Sequence, residues 1–356
     1  MTVVHLVPEM EHGGVESVVC DLNRAVAKAG WRSVVVSRGG RLAERIAKDG
    51  GRHVALDVKS KNPLTYFRRA RRLRRFLGEL AADGDKLLVC AHSRVPAWLF
   101  AWANRTLRLP WITYAHGANS VSRYSEVMTR GDMVIAPSRF LADFLLANYP
   151  DRADAKRPLA ERLRVVSPCV DLERFDPESL DQDFVSAKRR EWGIEPGSPV
   201  TMSVGRISPV KGFENVIRDF AKSAPSGRRL VIVGGADARH EGYLAALKSL
   251  AASLGVADRV VFAGAQAKMP ECLSLADEVV SGNMSKPESF GLSVVEALAM
   301  NKPVRLLRKF GGAAEILDAV ATSGASSSRE AVRSLYGFDV MAEKTLAAYS
   351  SACHPS

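Results

Sequence analysis

Two carboxylates, Glu288 and Glu296, stand out in SKPESFGLSVVEALAM (residues 285–300), a stretch that otherwise reads as apolar helix. An ionised carboxylate can only accept hydrogen bonds, so an acid on a helix that is mostly core is suited to binding hydroxyl groups. With a helix starting near Phe290, Glu288 falls on the preceding loop and Glu296 two turns along. On an ideal helix the eight steps between them span ~12 Å and return to within a quarter-turn of the starting direction. Between the acids, the N–H groups of Ser289, Phe290, Gly291 and Leu292 face outward from a helix start, where an anion is favoured. The spacing predicts a nucleotide sugar held lengthwise, with one acid facing its sugar, the helix start at its phosphates and the other acid meeting its ribose.

Other chemistry-bearing residues also lie just after apolar runs. In SVGRISPVKGFENVIRDFA, Arg206 follows a strand and Lys211 precedes a helix, which makes a diphosphate site of two cations and a helix dipole. In PEMEHGGVESVV, Gly13 and Gly14 open an amphipathic helix and let backbone approach an anion closely. In YAHG, His116 ends another strand. Taken singly, each has a plain structural reading: a tight turn, a solvated pair of cations, a structural histidine. A dinucleotide cofactor is excluded, because there is no GxGxxG and the second strand ends in SRGG rather than in an acid for a ribose. The DxD spacing of a metal-dependent sugar transferase occurs as DGD at 83–85 and DQD at 181–183. The first ends a helix and reads as a turn, and the second reads as a solvated linker. No metal and no cofactor are expected, since Arg206 and Lys211 can balance the leaving-group charge.

The elements that must position these residues are short β-branched runs alternating with longer helical ones, the pattern of parallel βα units. Seven strands are expected in the first half, near residues 3–7, 33–37, 53–58, 87–91, 111–115, 133–136 and 164–167. After the polar link SPCVDLERFDPESLDQD five more follow, near 200–204, 230–233, 260–263, 278–282 and 303–307. The fold class is α/β, with two tandem Rossmann-like, doubly wound domains and an interdomain cleft. Their expected bounds are 1–172 for a basic acceptor-binding domain and 173–335 for a nucleotide-sugar-binding domain, with a final helix in 336–356 packing back on the first. Ligands of such sheets collect at the carboxyl ends of strands, and there the residues above fall.

The formal net charge is +11, and nearly all of the excess lies before Pro177. Charge segregated in this way points to one domain facing an anionic partner. Six arginines crowd residues 68–75 within NPLTYFRRARRLRRFLGEL. At 100° per residue Arg68, Arg71, Arg72 and Arg75 share one arc, with Tyr66, Leu73, Phe76, Leu77 and Leu80 opposite. This helix is the expected contact with an anionic membrane surface or an acceptor. Nucleic acid is not the expected partner, because no aromatics interleave with the arginines. Five cysteines without a CxxC pair fit a reducing compartment. With neither a basic leader nor a 20-residue apolar run, a cytoplasmic protein peripheral to the inner face of the cytoplasmic membrane is expected.

Taken in order, HGGVES, YAHG, APSRF, VVSPCVDLERFDP, GRISPVKG, VIVGG, VVFAG, PESFGLSVVEALAMNKPV and GGAAEIL resemble the retaining glycosyltransferases of the GT-B fold grouped as family 4. The resemblance covers most of the chain. It implies a hexosyltransferase that moves a sugar from a nucleotide diphosphate donor, without a metal, to a glycan or lipid-linked acceptor of cell-envelope polysaccharide or lipopolysaccharide. At matching positions it implies that Arg206 and Lys211 neutralise the diphosphate, Glu288 bonds the transferred sugar, and Glu296 bonds the ribose. Backbone at Phe290, Gly291, Leu292 and Gly14 would contact phosphates or sugar, and His116 would lie beside the reacting sugar. The sequence departs from the pattern at Cys169, where glycine is usual, and after GGAAEILDAV, where the usual glycine-rich continuation is missing. A sugar-nucleotide epimerase and a non-catalytic basic binding protein are the competing readings.

Overall fold

The computed structural model describes residues 1–11, 13–151 and 157–353. His12 of the HGGVES loop and residues 354–356 of the expected terminal segment lie outside the described residues.

The chain divides into two units, the second of which is Val170–Gly337. The first unit ends at Cys169 and also takes in the terminal helix Phe338–Cys353. Its sheet contains β1 (Thr2–Leu6), β2 (Arg32–Ser37), β3 (Arg52–Ala55), β4 (Leu87–Ala91), β5 (Trp111–Tyr114), β6 (Met133–Ala136) and β7 (Leu163–Val165). The order is β3-β2-β1-β4-β5-β6-β7, parallel throughout. Every residue of β1 and β4 is buried, as expected of central strands covered on both faces. Val4, Leu6 and Val89 pack with Leu73, Leu77 and Phe100. Their neighbours Val3, Leu88 and Cys90 pack with Val18, Leu22 and Tyr349. Tyr349, fully buried on the terminal helix, shares a 2.8 Å hydroxyl hydrogen bond with Tyr114. That buried polar pair fastens the chain's last helix to the first sheet.

The second unit has β8 (Val200–Val204), β9 (Arg229–Val233), β10 (Val260–Gly264), β11 (Glu278–Ser281) and β12 (Val304–Leu306), in the parallel order β10-β9-β8-β11-β12. One face packs Met202, Val231 and Val279 against Val294, Val295 and Leu298. The other packs Leu230, Ile232 and Val280 against Phe213, Val216 and Ile217.

The strand expectations hold to within a few residues, and two local readings are corrected. DQD is not plain linker: Asp181 caps the helix Gln182–Glu191, accepting from the Phe184 N–H at 3.0 Å, and pairs with Lys268. The helix expected from Phe290 begins at Leu292. Gly291, at φ 121° and ψ 60°, breaks the chain direction there, in a region that side-chain-bearing residues avoid. DGD does close a helix, and Asp85 then accepts from Thr2 at 2.7 Å and Arg32 at 3.1 Å, a structural role.

The arginine helix spans Pro63–Ala82, capped by Asn62, whose side chain accepts from Leu64 N–H at 2.9 Å. Arg68, Arg71, Arg72 and Arg75 are exposed, while Leu73, Leu77 and Leu80 are buried. Arg69 turns inward to the Asn62 carbonyl and the Thr65 hydroxyl, each at 3.2 Å. Next to the exposed arginines stand two apolar side chains in water, Leu64 at 91% and Phe67 at 55% exposure.

Candidate functional site

In the second sheet the strand order reverses at β8, which pairs with β9 on one side and β11 on the other. Such a switch point leaves a crevice outside the carboxyl ends of the two strands. The loop after β8 carries Arg206 and Lys211, and the loop after β11 carries Asn283, Glu288 and Gly291. The two loops interlock. A Cβ on Gly212 would overlap the carbonyl oxygen of Gly282, and the Asn215 side chain donates to that same oxygen at 3.0 Å. Gly212 also sits at φ 63°, ending the short turn Pro209–Lys211 and starting the helix Phe213–Ser223.

This interlock brings Lys211 Nζ into an ion pair with Glu288 Oε1. The same oxygen accepts from Asn283 Nδ2 at 3.4 Å, and the Asn283 side chain is itself buried. Arg206, on the same loop as Lys211, is exposed and forms no ion pair among the described residues. One cation is thus held by an acid while the other stands open. Beneath the loop, the Gly312 N–H donates to the Glu288 carbonyl at 2.8 Å. A Cβ on Gly312 would overlap the Ser289 carbonyl, so GGAAEIL serves as the floor on which Glu288 and Ser289 rest.

Gly291 caps the helix Leu292–Ala299 without a side-chain bond. The first N–H groups of this helix have no intrahelical acceptor, and they carry the positive end of the dipole. Ser289 and Phe290 belong to the loop instead, with Phe290 buried edge-on against Tyr336 at 5.5 Å. The ideal-helix geometry expected between Glu288 and Glu296 therefore fails, because the first half of the interval is not helical.

Glu296 lies on the first turns of that helix. Burial pushes its carboxyl up to about 7, against the opposing pull of Arg174 and Lys211. At neutral pH it is partly protonated, so it can donate as well as accept. The folded form holds its proton between pH 4.5 and about 7 while the unfolded chain has released it, so folding stability falls as pH rises through that window. Against Glu296→Gln, wild type is expected to lose roughly 2 kcal/mol across it, allowing for partial solvent screening. Urea unfolding of both proteins from pH 4 to 8 checks this; parallel curves would refute it.

In the first sheet the order reverses at β1, between β2 and β4. Gly13 is extended, and the helix Gly14–Lys28 begins after it. The Glu16 carboxylate folds over Gly13, so this helix start already faces an acid of its own. His116 follows β5, with Nε2 at 3.0 Å from His92 Nδ1. Burial holds its pKa down at about 4, so the ring is neutral at pH 7.

The pocket lined by Thr201, Asp219, Arg228, Asp277, Glu278 and Arg305 sits where β8 and β11 begin, and so lies at the opposite edge from these loops. Among the described residues no group of acids, histidines or cysteines could hold a metal ion. Sequence alone assigns no individual role to Asn283, Arg174, Gly311 or Gly312. The position of Asn283 two residues past β11 was the available signal.

Residues 12–174 match the model for Glycosyltransferase Family 4, and residues 185–327 match the model for Glycosyl transferases group 1. The chain belongs to the family 4-like glycosyltransferases. The chain is 36% identical to D-inositol 3-phosphate glycosyltransferase of Mycobacteroides abscessus over 169 residues, which are 46% of this chain and 36% of that relative. It matches only about half or less of the curated relatives' own length, from 36% to 49%. A glycosyltransferase structure from Rickettsia africae superposes with TM-score 0.83 at 20% identity, covering 100% of this chain and 99% of that one. HepE of Anabaena, solved with UDP-glucose, gives TM-score 0.77 at 20% identity over 99% and 100%. The two Rossmann-like units of the chain are those of the GT-B fold.

Proposed function

We propose that the chain transfers a sugar from a nucleoside diphosphate sugar to a glycan or lipid-linked glycan, with retention of configuration and without a metal. The observation that carries this is the Lys211–Glu288 pair at the switch point, beside an open Arg206 and a glycine-capped helix start. Lys211 and Arg206 face the diphosphate, the helix start adds backbone donors, and Glu288 takes hydroxyls of the transferred sugar. Glu296 meets the ribose, and His116 lies beside the reacting carbon. HepE, solved with UDP-glucose, supports a donor of this class.

In the reaction the bond from the anomeric carbon to the phosphate oxygen breaks and the acceptor oxygen bonds that carbon on the same face. The acceptor's proton passes to the departing phosphate. The cations and helix dipole stabilise charge that develops on the diphosphate, which lowers the barrier. Glu288 is engaged by Lys211 and Asn283, which suits it to positioning rather than to nucleophilic attack.

A panel of UDP-, GDP- and ADP-sugars read by thermal shift tests the donor class. A true donor at a hundred times its Kd adds about 2.7 kcal/mol of stability. No shift with any of them would sink this reading and favour the non-catalytic one.

The acceptor belongs with the basic first unit, and an anionic acceptor of the cell envelope, as in lipopolysaccharide, suits its charge. The curated relatives are named for a phosphate-bearing compound. Exposed Arg68, Arg71, Arg72 and Arg75 beside exposed Leu64 and Phe67 form a surface for the cytoplasmic face of an anionic membrane. Each arginine there contributes about 1 kcal/mol. Replacing all four with glutamine is expected to abolish co-sedimentation with anionic vesicles without changing thermal stability. Equal binding to neutral and anionic vesicles by wild type would overturn this.

A further inference from the structure

Three histidines form one hydrogen-bonded row across adjacent strands of the first sheet. His5 lies in β1, His92 just after β4, and His116 just after β5. His5 Nδ1 is 3.0 Å from His92 Nε2, and His92 Nδ1 is 3.0 Å from His116 Nε2. The rings of His92 and His116 stack at 5.3 Å and 24°, and His92 also stacks on Tyr114 at 4.6 Å and 20°. His5 and His92 are buried, and His5 Nε2 has no hydrogen-bond partner among the described residues. His116 is partly exposed, and its Nδ1 bonds none of the described residues.

Burial lowers all three pKa values, to about 3 for His5 and about 4 for His116, so the row is neutral at pH 7. A neutral imidazole has one N–H and one bare nitrogen. Two hydrogen bonds in series then admit only two proton arrangements. In the first, every Nδ1 carries the proton: His5 donates to His92, His92 donates to His116, and His116 Nδ1–H is left to donate onward. In the second, every Nε2 carries it, the donation runs backward, and His5 must bury an N–H with nothing to receive it. A buried N–H without a partner is rarer than an unfilled acceptor. The unpartnered Nε2 of His5 therefore selects the first arrangement.

We infer that His5 and His92 are positioning residues that lock His116 as the Nδ1–H tautomer, making its outward nitrogen a donor to a sugar oxygen and barring it from acting as a base. This rests on the proposed function, which places His116 beside the donor sugar. It also deepens it, because a transfer in which the departing phosphate takes the proton has no use for a histidine base there.

Protein labelled with 15N-histidine, with each ring assigned from single His→Phe variants, tests the lock by long-range 15N–1H correlation at pH 7. His5, His92 and His116 are each expected to show a protonated Nδ1 and a bare Nε2. An Nε2–H or doubly protonated His116 overturns the inference. In His5→Asn the amide can turn to offer His92 either an N–H or a carbonyl oxygen. His116 is then expected to show both tautomers, and a His116 that stays wholly Nδ1–H would remove His5 from the mechanism. Should that variant fail to fold, the wild-type spectrum still decides. The readout needs neither donor nor turnover, so its failure is distinct from failure of the transferase reading.

Discussion

Lys211→Ala is expected to lower kcat by about 10²–10³, the usual loss when one preorganised donor to developing charge is removed. Lys211 closes the short turn Pro209–Lys211 after β8, its Nζ paired with Glu288 from the loop after β11. In the proposed reaction its charge would act on a departing diphosphate most strongly as that charge develops, so kcat should fall more than KM rises. The fold should survive. Both side chains retain solvent contact, 30% for Lys211 and 13% for Glu288, and Asn283 still bonds the carboxylate. A stability loss of about 1–2 kcal/mol is therefore expected. Steady-state kinetics beside urea unfolding checks both halves. Turnover within a few-fold of wild type would remove Lys211 from the mechanism.

Gly212→Ala is expected to damage stability and activity together. The residue is at φ 63°, and a Cβ there would overlap the Gly282 carbonyl. Left-handed backbone costs a side-chain-bearing residue roughly 1–2 kcal/mol, and forced overpacking adds about 1–3. The overlapped atom is backbone, so the clash can be relieved only by moving the loops after β8 and β11 apart, and with them Lys211 from Glu288. Gly197 supplies the control: it sits at φ 78°, and a Cβ added there would meet nothing within 4 Å. Gly197→Ala should cost only the backbone part and leave turnover intact. Urea unfolding and steady-state kinetics on both variants make the comparison, and equal effects from the two substitutions would show that the interlock has no role.

Much of this protein follows from local pattern. Short apolar runs mark the strands among the described residues, most plainly the central β1 and β4, because a strand buried on both faces must be apolar along its length. The same pattern locates the loops after strands, and with them Arg206, Lys211, Glu288 and His116. Tertiary structure decided which of those loops meet. β8 lies between β9 and β11, and that order, with the interlock of the two loops at Gly212 and Gly282, brings Lys211 to Glu288 across 77 residues. It also decided the start of the helix at Leu292, since Gly291 is held at positive φ against Ala313 and Glu288. The histidine row needed β1, β4 and β5 side by side, and the raised pKa of Glu296 needed the sum of its neighbours. Strand order, ion pairing and desolvation are set by residues far apart in the chain, and no window of sequence contains them.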